Sequence, residues 1–117
     1  MKRGTVVLCR VPMPSIELRE FKLRPAVVVS NDKNNERLDD VMIAPCTSNI
    51  KRRREPTHII IEGKEIETTG IVIPSVVRCE SLLTISKSMI IKSLGKLSPK
   101  AMKDLSSCLM IALQIED

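Results

Sequence analysis

Short β-branched runs, each cut off by polar residues, proline or glycine, fill the first two thirds of the chain. That punctuation restricts the fold more than any other feature, because runs of this length at this spacing read as strands. The runs are Thr5–Val11, Arg24–Asn31, Val41–Thr47, Thr57–Glu62 and Ile71–Arg78, the last broken or bent at Pro74–Ser75. Met89–Leu94 adds a short strand or turn. Near the C-terminus the period changes. Ser98 followed by Pro99 reads as an N-cap with proline at the first helical position, where no backbone donor is needed. From there Met102, Leu105, Cys108, Leu109 and Ala112 recur at helical spacing, while Lys100, Lys103, Asp104 and Ser107 face the other way. The fold class is therefore mainly β with one amphipathic C-terminal helix laid over the sheet. With 117 residues, no internal repeat and no linker composition, residues 1–117 form a single domain.

The core must be aliphatic, since Phe21 is the only aromatic residue. The same scarcity excludes nucleic-acid binding on an aromatic stacking platform. The net charge of +5 suits an anionic partner without identifying one. Cys9, Cys46, Cys79 and Cys108 are scattered, with no CxxC, and read as buried free thiols in a reducing compartment. No apolar stretch reaches the roughly 20 residues of a membrane span, and no secretory leader is visible. The expectation is a cytoplasmic protein.

Two long loops are polar: Pro12–Leu23, with Glu17, Arg19 and Glu20 at its centre, and Asn49–Pro56, which carries Lys51, Arg52, Arg53 and Arg54. Asn34-Asn35 reads as the turn between the second and third strands. Antiparallel pairing about that turn makes opposed residue numbers sum to about 70, which sets Arg24 opposite Thr47. Pro25 keeps Arg24 extended. One end of the sheet thus gathers an arginine, the Thr47 and Ser48 hydroxyls, loop carboxylates and the basic loop. That set fits phosphate chemistry on RNA, which carries its own nucleophile in the 2′-hydroxyl. The protein then has to orient the attack and stabilise charge on the phosphorane oxygens. Arginine offers a planar fork for this and threonine a neutral donor. With one histidine and no clustered acids, neither a metal site nor a histidine pair is expected, and no cofactor.

Each element also has a plainer reading. An Arg-Pro at a strand start is ordinarily a solvated edge residue, Thr-Ser a turn pair, and a basic run a solvated loop. His58 reads as a packed or capping group. Taken singly, none compels a function.

Together, several segments resemble the MazF/PemK toxin family over nearly the whole chain. They are Arg3-Gly4 before a Val-rich strand, Arg24-Pro25-Ala26-Val27-Val28-Val29-Ser30-Asn31-Asp32 and Ala44-Pro45-Cys46-Thr47-Ser48. In the same order follow Pro56-Thr57-His58, Ser75-Val76-Val77 with Glu80, Thr84-Ile85 and Lys87, and Leu94-Gly95-Lys96-Leu97-Ser98 before a helix. The resemblance implies an SH3-like β-barrel of the CcdB/PemK type that forms a homodimer. It implies a metal-independent endoribonuclease that cuts single-stranded RNA to 2′,3′-cyclic phosphate and 5′-hydroxyl ends, silenced by an acidic antitoxin. Its catalytic pair falls on Arg24 and Thr47. Residues implied to hold RNA are Glu20, Lys22, Ser48, Lys51, Arg52, Arg53, Arg54, His58 and Glu80. The chain departs from the family where Glu20 replaces a glutamine in a loop without glycine, and where Ser81 and Leu83 stand for glutamine and arginine. Two rival readings share the fold: a non-enzymatic toxin that binds DNA gyrase, and a barrel that binds RNA without cutting it.

Overall fold

Residues 1–12, 20–49 and 55–116 are described by the structure, a computed structural model. Among these residues, seven strands form one antiparallel sheet in the order β4-β5-β3-β2-β1-β7, with β6 on β3 outside that path. The strands are β1 (Thr5–Pro12), β2 (Phe21–Val28), β3 (Asp40–Thr47), β4 (His58–Ile61), β5 (Ser75–Arg78), β6 (Leu83–Ser86) and β7 (Ile90–Lys96). The helices are α1 (Asp32–Arg37), α2 (Lys64–Thr69) and α3 (Pro99–Ala112).

Both faces of the sheet are buried, and strand alternation decides which residue goes where. Val6, Val27, Ala44 and Cys46 belong to one cluster, completed by Ala101, Leu105 and Cys108 of α3. Their sequence neighbours Val7, Ala26, Val28 and Ile43 belong to the other, with Cys9, Val11, Val41 and Ile85. The helix forms as its sequence requires. Ser98 caps it by accepting from the amide of Ala101 at 3.1 Å, and Lys100, Lys103, Asp104 and Ser107 are exposed.

Several boundaries differ from the sequence reading. The sheet is not closed, since among the described residues β4 and β7 are unpaired with each other, but the mainly β fold with its C-terminal helix is the one expected. Strand β3 pairs with β2 on one side and shares its other side between β6 and β5. Strand β2 starts three residues early because β1 pairs with it down to Pro12↔Phe21. The expected turn at Asn34-Asn35 is the helix α1, capped by the Asn31 side chain, which accepts from the amide of Asn34 at 2.8 Å. The run Ile71–Arg78 is a strand only from Ser75, because helix α2 precedes it. That helix ends on Gly70 at φ 73, where an added Cβ would strike the carbonyl of Leu94. Helix α2 and strand β6 were not foreseen.

The register of the central hairpin is as the sequence reading had it, to within one residue. Ala26↔Pro45, Val27↔Ala44 and Val28↔Ile43 are paired. A part-buried network pins this register at its far end. The Asn35 amide donates to the Ser30 carbonyl at 2.9 Å, the Ser30 hydroxyl donates to the Asn35 side-chain oxygen, and Met42 N–H donates to that hydroxyl at 3.0 Å.

Candidate active site

The β2–β3 ladder stops at Ala26↔Pro45, two residues short of Arg24 and Thr47. Pro25 stands at the stopping point, where the next bonded pair would need the backbone N–H it lacks. Beyond that point lies a cavity of about 720 Å³ lined by Lys22 and Arg24 from β2, Pro45, Cys46 and Thr47 from β3, and Ser48 and Asn49 beyond it. Val11 and Pro12 close one side; Arg78, Ser81, Leu82 and Leu83 close another. Alternation places the polar pair: Arg24 continues the face of Ala26 and Val28, and Thr47 that of Ile43 and Pro45. Two apolar stripes on adjacent strands thus end in an arginine and a threonine that face one opening.

Thr47 accepts from the amide of Asn49 at 3.2 Å, which leaves the hydroxyl proton to donate elsewhere. Arg24 is half-buried and has no ion-pair partner among the described residues. Its backbone carbonyl accepts a long contact of 3.7 Å from the Cys9 thiol. Cys46, which also lines the cavity, is no nucleophile: burial pushes its thiol up to about 12. Among the described residues, no group of three or more His, Cys, Asp or Glu side chains could hold a metal.

A second cluster stands next to this cavity. Glu80 accepts from His58 Nε2 at 2.8 Å, from Thr57 Oγ1 at 3.1 Å and from Arg78 Nε at 3.2 Å. Burial raises its carboxyl pKa, but the bonds from His58, its own backbone N–H, Thr57 and Arg78 outweigh that and hold it at about 2. His58 is packed, with 5% of its side chain exposed.

Of the residues singled out from sequence, Arg24, Thr47, Lys22 and Ser48 meet at the cavity. Glu20 is exposed just before β2 and does not line it. His58 and Glu80 form the neighbouring cluster and touch the cavity only through Arg78. Lys51, Arg52, Arg53 and Arg54, like Glu17 and Arg19, lie outside the described residues. Ser81 and Leu83, the departures from the family pattern, line the cavity wall. Sequence reasoning missed Arg78; its signal was alternation with Val76, the residue paired with Thr47.

An antiparallel sheet backed by a helix, with cations and a hydroxyl donor at one cleft, is suited to handling phosphodiesters. More specifically, the chain belongs to the family of PemK-like, MazF-like toxins of type II toxin–antitoxin systems, whose model matches residues 2–113. It is 31% identical over 114 residues to the endoribonuclease MazF of Staphylococcus saprophyticus, covering 97% of this chain and 91% of that one. Its fold is similar to a mycobacterial endoribonuclease solved with its cognate antitoxin, with TM-score 0.78, 22% identity, and 100% and 98% of the two chains covered. It is also similar to the MazE–MazF structure from Deinococcus radiodurans, with TM-score 0.75, 17% identity, and coverage of 99% and 97%. Among the described residues, no helix is long and apolar enough to cross a membrane.

Proposed function

We propose that the chain is a metal-independent endoribonuclease that cuts single-stranded RNA at the Arg24–Thr47 cleft. The observation that carries this reading is the meeting of those two side chains on one face where the β2–β3 ladder stops. A scissile phosphate seated there receives the guanidinium fork of Arg24 and the hydroxyl proton of Thr47. The RNA's own 2′-oxygen attacks phosphorus as its proton passes to water, the bond from phosphorus to the 5′-oxygen breaks, that oxygen takes a proton from water, and the products are a 2′,3′-cyclic phosphate and a 5′-hydroxyl. Charge stabilisation is Arg24's main contribution, its planar fork of donors facing the phosphorane oxygens. Lys22 and Ser48 hold the strand beside it, with the basic residues Lys51, Arg52, Arg53 and Arg54 adding long-range attraction.

By family membership, the toxin acts in the cytoplasm as a homodimer and is silenced by an acidic antitoxin that occupies the same cationic cleft. The two structural relatives solved with antitoxins support a partner of that kind. Incubation of the purified protein with a long RNA, followed by mapping of the ends, tests the reading. Cleavage is expected to persist in excess EDTA and to stop when the 2′-hydroxyl at the cut nucleotide is replaced by hydrogen. Arg24→Ala and Thr47→Ala are each expected to slow it about 10²–10³-fold, the usual cost of one preorganised donor. Binding without cleavage, or inhibition of gyrase with no effect on RNA, overturns it.

A further inference from the structure

Strand order sets β5 on the far side of β3 from β2, so the cavity wall opposite Lys22 and Arg24 belongs to β5, the turn after it and the start of β6. Thr47 pairs with Val76, and Arg78, two residues further along β5, emerges on that same face. It lines the same cavity as Arg24 and Thr47. An anionic strand crossing the cleft from β2 to β5 therefore meets Arg24, then Thr47, then Arg78.

What holds Arg78 is as informative as where it stands. His58 is its direct partner across β4 and β5, so the two side chains share a face. Both reach Glu80 Oε2, while Thr57 holds the other carboxylate oxygen. The carboxylate is thus fixed from three side chains, and it grips Arg78 by Nε alone. Of the five guanidinium donors, those on the two terminal nitrogens make no hydrogen bond to any described residue. The Arg78 side chain is 31% exposed, enough to meet a ligand while its stem is packed. The neighbouring wall residues Ser81, Leu82 and Leu83 carry no charge, so Arg78 is the cation of that wall.

We propose that Arg78 is a second phosphate-binding residue of the cleft, gripping the RNA backbone beside the phosphate held by Arg24 and Thr47, with Glu80 and His58 as its positioning residues. This rests on the RNA-cleaving reading for its substrate class. Two grips on one strand, on either side of Thr47, fix the direction in which the backbone crosses the cleft. Fixing that direction is what aligns a 2′-hydroxyl with the phosphorus it attacks.

The test measures binding of a fully 2′-O-methylated RNA oligonucleotide, which cannot be cut, across a range of salt concentrations. Arg78→Ala is expected to weaken binding about tenfold or more, as loss of a charge-assisted hydrogen bond does. It should also lower the slope of log affinity against log salt by about 0.7, the share of one phosphate on a single strand. Arg78→Gln, which keeps a donor for Glu80, should lose the same slope, whereas Arg78→Lys should retain it. Adding Leu83→Arg to Arg78→Ala returns a cation to that wall and should restore the slope. Glu80→Gln separates positioning from simple charge. Removing a negative charge near an anion tightens binding by Coulomb's law alone, but loosening Arg78 weakens it, and weakening is expected. An unchanged salt slope in Arg78→Ala and Arg78→Gln overturns the phosphate contact, and tighter binding by Glu80→Gln overturns the positioning role. Wild-type protein that binds the methylated oligonucleotide yet cuts no unmethylated RNA refutes the cleavage reading instead, and the binding result still decides Arg78.

Discussion

Replacing Glu80 by glutamine tests the cluster beside the cleft through stability as well as binding. The carboxylate accepts from His58, Thr57 and Arg78, and its pKa falls from the 4.5 of a free glutamate to about 2. Were the group wholly shielded from solvent, that gap would correspond to about 3 kcal/mol of folding free energy. The side chain is 35% exposed, and water screens the interaction, so the expected loss in Glu80→Gln is about 1–2 kcal/mol at neutral pH. The pH dependence follows from the depressed folded-state pKa. The carboxylate's contribution is complete above about pH 4.5 and disappears as the pH falls through about 2. Urea unfolding of wild type and variant, at one protein concentration and at several pH values, reads both numbers. The stability difference should be largest near neutrality and shrink steadily below pH 4.5, because glutamine does not titrate. A difference that is absent at pH 7, or that stays constant down to pH 3, refutes the account of how Glu80 is held.

Three further outcomes follow from the packing. Leu105→Ala, at a side chain of α3 with no exposed surface, should cost about 2–5 kcal/mol in urea unfolding, as large-to-small core changes do; a loss under 1 kcal/mol would mean the helix is not seated as described. Asn35→Ala removes two of the three hydrogen bonds that Ser30 makes in the network at the end of the hairpin and should cost about 1–3 kcal/mol, read by the same unfolding experiment. Burial pushes the Cys9 thiol up to about 11 and those of Cys46 and Cys79 to about 12, and it raises Cys108 as well. An aromatic disulfide reagent at pH 8 should therefore label the protein only at the rate of unfolding; fast labelling of the native state would contradict the burial.

Much of the site was legible because it depends on period and pairing. The register of the central hairpin comes from where the chain reverses, and that reversal is the same whether a turn or the short helix α1 performs it. Arg24 and Thr47 could therefore be set together before the helix was known. Their motifs say more than sequence reading drew from them: the proline of Arg24-Pro25 faces β3 without an N–H and stops the ladder beside the cleft. What stayed hidden depends on tertiary contact. Helix α2 is only six residues, too short to show a period, and is ended by a glycine packed against Leu94. Strand β6 is four residues long and exists because β3 has an edge left over beside β5. Arg78 stood in view, but its relation to Glu80 comes from the tight turn between them, and its relation to Thr47 from a strand pairing across some thirty residues of chain.

The part-buried Ser30–Asn35 network lies at one end of the central hairpin, and Arg24 and Thr47 lie at the other. Side chains on a strand change face with every residue, so a slip of one position at the α1 end would turn Arg24 away from the opening while leaving both strands paired. Sites that determine whether this protein poisons a cell are thus not confined to its cleft. In a random mutagenesis screen for cells that survive its expression, substitutions at Ser30 and Asn35 should be recovered alongside those at Arg24 and Thr47. They should form a second hot spot that a map drawn from the cleft alone would leave blank.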